Sequence, residues 1–561
     1  MKLGGLVIVG SLLVPHAAGA GGLFLPGSGA TSTSRAGAAV TSVDDGEALS
    51  INPAGLAKTK GWTITISAAF IRYFMEFTRR GTYDDAPDLN TTYEGTPYPT
   101  VENDPKPPLG VGKFQPIPVV AVVTDLNGKV PNLRLAIGLY APSGYPFRDM
   151  SAGYKFPSVA NPGDPNAAPP PTRYDILEQE SKLLLPTIAA SYRILPELDI
   201  GARFTAGNLE SKSVVAVWGT PVNVTESVNQ DSLFTAEVKD GFIPAFGIGA
   251  TYRPTPNIEV GAVYNSAFVI RAKGTAQSVK GPGVSQNTSL GPIPDDMTSC
   301  AKGGTFQKQK ACISLELPQN ATIGARYKFL GPNETLKGDV ELNVNWENWG
   351  ASCAHNKDGS LVDGDCTSPQ QYKIVIDSGL YNNDVNGNPD TFSQPLEKNF
   401  LNYGLKDTFS LRLGGSYHIP LGEGIAPNEV IVRGGIAYDT RAAKTGWLRA
   451  NLDGAARTTI AVGGAYKAKR FQINAGGGVV LEGTNTNPGA SNDGSDCNPT
   501  SAAGTIGCGG DGQTNRPLED RQGPDPTNPL ITPGLQTENP YNQGTFKSHY
   551  ILMMVGFSTW F

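Results

Sequence analysis

The chain has 561 residues, a formal charge of −6, 17% charged residues, 68 Gly and 44 Pro. The absence of any basic cluster argues against nucleic acid as a partner. No nucleotide-binding loop or metal-ligand spacing occurs, so neither a cofactor nor a metal is expected.

The chain starts with the pattern of an export signal. Lys2 is followed by an apolar run from Leu3 to Val14 and then by Ala18-Gly19-Ala20, a small-x-small cleavage site. Cleavage after Ala20 predicts a mature chain that starts at Gly21. The apolar run is shorter than the ~20 residues that a helix needs to span a bilayer. Later apolar stretches are all interrupted within a few residues, so the mature chain is either soluble and secreted or crosses a membrane as strands.

Residues 21–61 do not read as strand. Gly22-Leu23-Phe24-Leu25 leads into a small-residue stretch, then Ser34-Arg35-Ala36-Gly37, Asp44-Asp45 and Ile51-Asn52-Pro53-Ala54-Gly55-Leu56. Gly and Ala permit close backbone packing, and the acids and hydroxyls can cap short helical turns, so this is a compact plug candidate.

From 62 onward, period-two alternation predicts strands. Trp62, Ile64, Ile66, Ala68 and Phe70 share one face; Thr63, Thr65 and Ser67 share the other. Val340, Leu342, Val344 and Trp346 oppose Glu341, Asn343, Asn345 and Glu347 in the same way. We read strands near 62–79, 114–125, 131–141, 181–194, 197–217, 232–253, 256–272, 312–330, 334–350, 403–418, 427–439, 455–468, 469–483 and 545–561. An antiparallel sandwich alternates likewise. Connection lengths favour a membrane barrel, because short turns take turns with long polar connections near 80–113, 142–180, 273–311, 351–402 and 484–544. The expected fold is all-β: an antiparallel transmembrane β-barrel of fourteen strands over 62–561.

The six cysteines fall as Cys300 and Cys312, Cys353 and Cys366, and Cys497 and Cys508, in or at the edge of three long connections. They are disulfide candidates whose connectivity the sequence leaves open. The last strand ends at Phe561 with Thr559, Phe557, Val555, Met553 and Ile551 on one face. A terminal Phe there resembles the assembly signal of outer-membrane barrels and implies the barrel-assembly machinery as a partner during biogenesis.

The acidic pair followed by Asn52-Pro53-Ala54-Gly55-Leu56, ahead of the first strand, resembles the N-terminal hatch of the FadL family and its TodX-like relatives. Ile51 departs from the aromatic that relatives often carry there. Leu135-Ala136-Ile137-Gly138-Leu139-Tyr140-Ala141-Pro142-Ser143-Gly144, Leu185 to Arg193, Leu317-Pro318, Asn345 to Trp349 and Val432 to Asp439 also fit this family. The resemblance implies a bacterial outer-membrane barrel, monomeric and surrounded by outer-membrane lipid. It implies passive transport of long-chain fatty acids or hydrocarbons. It implies a hatch shaped by Arg35, Gly37, Asp44, Asp45, Asn52, Pro53, Ala54 and Gly55, and ligand contact at Gly21, Gly22, Leu23, Phe24 and Leu25. Gly138, Pro142, Ser143 and Gly144 would mark a kink in the third strand and a lateral opening. A general porin and an adhesin are the alternatives. An enzyme is not expected, since His355, His418 and His549 lie in different segments and in no catalytic motif.

Overall fold

The computed structural model describes residues 24–83, 90–107, 110–158, 161–217, 226–283, 309–351, 373–378, 399–402, 405–422, 428–443, 448–452, 454–487 and 544–561. Fourteen antiparallel strands pair in chain order. They are β1 (Thr63–Arg79), β2 (Gln115–Thr124), β3 (Leu133–Tyr140), β4 (Glu178–Leu195), β5 (Leu198–Val217), β6 (Ser232–Thr255) and β7 (Ile258–Asn265). They continue as β8 (Asn320–Leu330), β9 (Leu336–Glu347), β10 (Thr408–Leu421), β11 (Asn428–Asp439), β12 (Arg457–Lys467), β13 (Phe471–Asn487) and β14 (Gly544–Trp560). β14 pairs back onto β1, from Thr63↔Trp560 to Arg79↔Gly544, and closes the barrel.

Burial decides between barrel and sandwich. On β9 the apolar Val340, Leu342 and Val344 are exposed, while Asp339, Glu341, Asn343 and Asn345 are buried. On β1, Ile66 is exposed and Thr63, Thr65 and Ser67 are buried. A water-soluble sandwich buries the opposite faces. Apolar-out, polar-in alternation on a closed sheet is what a lipid surround demands, because closure leaves no unpaired strand edge in hydrocarbon.

Two expected strands are interrupted. The segment expected at 256–272 is β7 followed, after a two-residue break, by Phe268–Lys280. The segment expected at 312–330 is Gln309–Leu317 followed by β8. Pro318 has no N–H to donate and explains the second break. The first is bridged along the wall: Ser266 N–H donates to the Phe246 carbonyl, and Phe246 N–H donates to Ser266 Oγ, both at 2.9 Å. The expected connection 142–180 is not simply polar loop. It carries a short strand, Phe147–Asp149, and a buried run from Thr172 to Leu177. Short strands also occur at Thr100–Glu102, Lys373–Ser378 and Asn399–Asn402. Cys312 is disulfide-bonded. The other five cysteines lie outside the described residues, as do residues 1–20.

A charge on the outer face should be costly. Leu342→Arg is expected to destabilise the barrel in a lipid bilayer by ~2–4 kcal/mol, read from denaturant unfolding in liposomes.

Candidate functional site

Residues 24–61 lie inside the barrel and bond to its inward side chains. The segment forms two short helices, α1 (Ala30–Thr33) and α2 (Ala48–Ile51), then a 3₁₀ helix, Pro53–Lys58. Asn52 is fully buried at the joint. Its Oδ1 accepts from Ala54 N–H at 3.1 Å and caps the 3₁₀ helix, whose first residue is Pro53. Its Nδ2 donates to the Val40 carbonyl at 2.8 Å. Ala54 offers its carbonyl to Ser191 of β4 at 3.2 Å. Gly55 packs where a Cβ would meet Val43.

Arg35 is the main tie to the wall. Its guanidinium donates to both Asp339 oxygens on β9, at 3.1 and 2.8 Å. Neighbouring Glu341 accepts from the backbone of Thr41 and Ser42 at 2.8 and 3.1 Å. Arg326 on β8 joins Asp339 to Glu259 on β7, at 2.7 and 2.9 Å, and Lys58 reaches Glu259 at 3.3 Å. Breaking such a buried network leaves charges without partners, which costs several kcal/mol per ion. Gly37 turns the chain after Arg35 with φ +79°, a conformation that suits glycine. Gly414 on β10 lets the Arg35 backbone approach; a Cβ there would sit 2.6 Å from the Arg35 carbonyl oxygen.

The acidic pair divides. Asp44 is exposed and Asp45 buried. Glu47 holds α1 by accepting from the Thr31 and Ser32 N–H groups, Ser32 Oγ and, on β1, Ser67 Oγ, all at 2.9 Å. Burial pushes the Asp45 carboxyl up to about 8, with help from nearby Glu47 and Asp44, and burial also raises Glu47.

Leu25 and Ala30 of this segment join a buried apolar and aromatic cluster inside the barrel. Tyr73 stacks on Tyr550 at 4.2 Å and Phe77 on Phe546 at 4.4 Å between ring centroids. Tyr145 and Phe147 extend the cluster, with Met75, Met150 and Met554 buried beside them. Phe24 lies against Trp349, centroids 6.0 Å apart, and Leu25 is buried in the same cluster. Gly21, Gly22 and Leu23 lie outside the described residues.

Next to this cluster the wall ladder stops. β3 pairs with β2 only as far as Val119↔Tyr140. Residues 142–145 leave the ladder, the Pro146 carbonyl accepts from Ser181 N–H on β4 at 3.2 Å, and Phe147–Asp149 pairs with β4 but not with β2. Pro118 explains why pairing ends there. Its carbonyl accepts the last bond, from Ala141 N–H at 3.2 Å, so its nitrogen faces the same side and has no proton to give. Pro116, two residues along, presents a second missing donor to the same edge. The break is capped from inside: Leu25 N–H donates to the Ser143 carbonyl at 2.6 Å. Pro142, Ser143 and Gly144 therefore sit in the break. Gly138 does not; it is an ordinary ladder residue opposite Ala121 and makes room for Leu49.

A family profile described as outer membrane protein transport protein (OMPP1/FadL/TodX) matches residues 179–487. The chain belongs to this family. It is an outer-membrane β-barrel of a transport family. Its fold is similar to a Pseudomonas aeruginosa FadL homologue (TM-score 0.61, 14% identity, covering 96% of this chain and 99% of that one). It is likewise similar to the P. putida toluene transporter TodX (0.55, 14%, 96% and 99%) and the Ralstonia pickettii toluene transporter TbuX (0.52, 13%, 96% and 99%). At these identities the likeness shows fold alone. No curated protein matches the chain by sequence.

Sequence reasoning missed Asp339, Arg326, Glu259 and Glu47. The polar face of β9 signalled an inward acid, but nothing local pairs it with Arg35, 304 positions away.

The Asp45 shift has a pH consequence. A carboxyl raised from 3.8 to about 8 binds more protons in the docked state than in the released one. Docking therefore weakens as pH rises from about 4 to about 8, then levels off. Limited proteolysis of the N-terminal segment should accelerate over that window, and Asp45→Asn should flatten the rise.

Proposed function

We propose that the protein carries hydrophobic small molecules, long-chain fatty acids or hydrocarbons, passively across the outer membrane. Cargo gathers at the extracellular connections and settles in the aromatic chamber. It leaves sideways through the break beside β3 into the membrane, while residues 21–61 act as a hatch on the periplasmic side. The observation that carries this reading is the break itself, an unpaired wall edge with two proline nitrogens beside a buried aromatic cluster. A greasy molecule that exits into lipid avoids crossing water, which is the larger free-energy barrier for it. The lumen filled by the N-terminal segment and its ion network argues against an open, water-filled porin. The relatives whose names mention toluene transport, TodX and TbuX, are consistent with this cargo class. Residues 21–25 would meet the ligand, Phe24 and Leu25 at the chamber. The protein would act as a monomer, and exposed Phe561 would serve barrel assembly.

Uptake of labelled palmitate and labelled toluene, in a host lacking its own transporter, tests the reading. Wild type should import at least one of them. Pro116→Val/Pro118→Val restores two ladder donors and should cut that uptake severalfold. Asn52→Ala, which uncaps the 3₁₀ helix, should also lower it while the barrel stays folded by heat-modifiable migration. Unchanged uptake by the double valine variant would exclude the break as the exit.

A further inference from the structure

The wall ladder has a second gap, between β6 and the strand that continues β7. β6 pairs with β7 as far as Gly247↔Asn265. It pairs with the continuation, Phe268–Lys280, only from Lys239↔Lys273 onward. No ladder pairs join residues 240–246 to 266–272, yet the register is the same on both sides of the gap. On its other edge the same strand steps directly from Asn265↔Asn320 to Phe268↔Leu317, so the long gap belongs to the β6 edge. The buried side chains change parity across it on both edges, from Val238 to Ile243 on β6 and from Val263 to Ile270 opposite. Each edge thus carries one extra step, as in a bulge, and the register recovers.

Unpaired backbone donors facing hydrocarbon are costly. On the β6 edge every second residue is dealt with. Phe242 N–H donates to Asp240 Oδ1 at 3.1 Å, Pro244 has no N–H, and Phe246 N–H donates to Ser266 Oγ at 2.9 Å. Asp240 Oδ2 also accepts from Arg271 N–H on the opposite edge, at 2.8 Å. Asp240 and Ser266 therefore pin the two ends of the gap and leave its centre, Pro244 opposite Phe268, unbonded by the ladder. Ser266 and Ala141 lie equally far along β7 and β3 from the short turns where those strands begin, so this gap and the break beside β3 are at similar heights. Inside, Ile243, Ile270 and Ala272 belong to the same buried cluster as Tyr73, Tyr145 and Phe147. Phe268 packs on that cluster and also on Val119, Tyr140 and Leu185, which stand at the break beside β3. Gly207 on β5 leaves room between Leu185 and Ile243; a Cβ there would meet them at 3.1 and 3.2 Å. Apolar contact runs along the inner wall from one opening to the other. Outside, Phe242 and Phe246 are exposed on the lipid face.

We propose that this gap is a second lateral opening, through which apolar cargo passes between the lumen and the membrane, and that Phe268 is its gate. Rotation of the Phe268 side chain breaks no hydrogen bond, whereas the ends of the gap stay fixed by Asp240 and Ser266. The inference rests on release through the wall and adds a second route with its own gate.

Uptake of labelled toluene and labelled palmitate by the full chain, in the transporter-deficient host, tests it. Asp240→Ala/Pro244→Val returns Phe242 N–H to the ladder and gives position 244 a donor. Added to Pro116→Val/Pro118→Val, it should lower the remaining uptake severalfold further, with the barrel folded by heat-modifiable migration. Phe268→Ala on the Pro116→Val/Pro118→Val background should instead raise uptake, a direction that loss of packing alone does not produce. If Pro116→Val/Pro118→Val by itself abolishes uptake, or if neither added change moves what remains, the second opening is overturned and the break beside β3 stands as the exit. If Pro116→Val/Pro118→Val changes nothing while Asp240→Ala/Pro244→Val alone cuts uptake, the second opening stands and the first falls. Import of neither compound by wild type would overturn the transport reading and this opening with it.

Discussion

Backbone N–H and C=O groups in hydrocarbon must find partners within the protein. Most of this molecule follows from that constraint. It requires the strands to close on themselves, and β14 returns to β1 over the full length of both. It also makes each interruption of the ladder informative. At Ser266 the loss is repaired along the wall by Ser266 and Phe246 themselves. Beside β3 the repair comes from inside the lumen, where Leu25 caps Ser143. The wall there depends on the N-terminal segment, so the same few residues join the aromatic cluster, the segment and the break.

The N-terminal segment is held by charge rather than by apolar packing alone. Arg35, Asp339, Arg326, Glu259 and Lys58 form a chain of buried ions from the segment into three neighbouring strands. Pulling the whole segment out would strand those charges, whereas Phe24 and Leu25 are tied to the wall by neutral backbone groups, the Phe24 carbonyl accepting from Arg457 and Leu25 N–H donating to the Ser143 carbonyl. On the proposed reading, that difference lets the start of the segment shift beside the break while the ion-paired part stays in place.

Much of this was legible in the sequence, for physical reasons that differ by region. The barrel was, because side chains of period two must sort between lipid and lumen: Leu342 and Glu341 could only face opposite ways. The joint of the N-terminal segment was, because Asn52-Pro53 combines a capping amide with a ring suited to the first helical position. Pro142, Ser143 and Gly144 were placed in the break, but the determinants on the other edge, Pro116 and Pro118, were read as ordinary strand. Their effect depends on which neighbour each nitrogen faces, and that is a property of the sheet. Gly138 was grouped with the break because glycine signals irregular backbone, whereas its role is to admit Leu49. The partners of Arg35 on β9 lie about three hundred positions away and leave no local trace. The connection ahead of β4 read as polar loop because Arg173 and Asp175 are charged; Arg173 is buried against Asp231 and Glu226, and Asp175 against Arg449.

On the proposed reading, cargo leaves through the wall while the base of the N-terminal segment stays in place. A disulfide between Ala30→Cys and Gly556→Cys tests it most directly, since a Cβ at 556 would lie 3.1 Å from that of Ala30, within a few tenths of an ångström of disulfide spacing. The cross-linked protein is expected to import cargo at close to the wild-type rate. Loss of uptake on cross-linking, with recovery on reduction in the double variant and no effect of reductant on wild type, would contradict the account and place the exit beneath a hatch that must move.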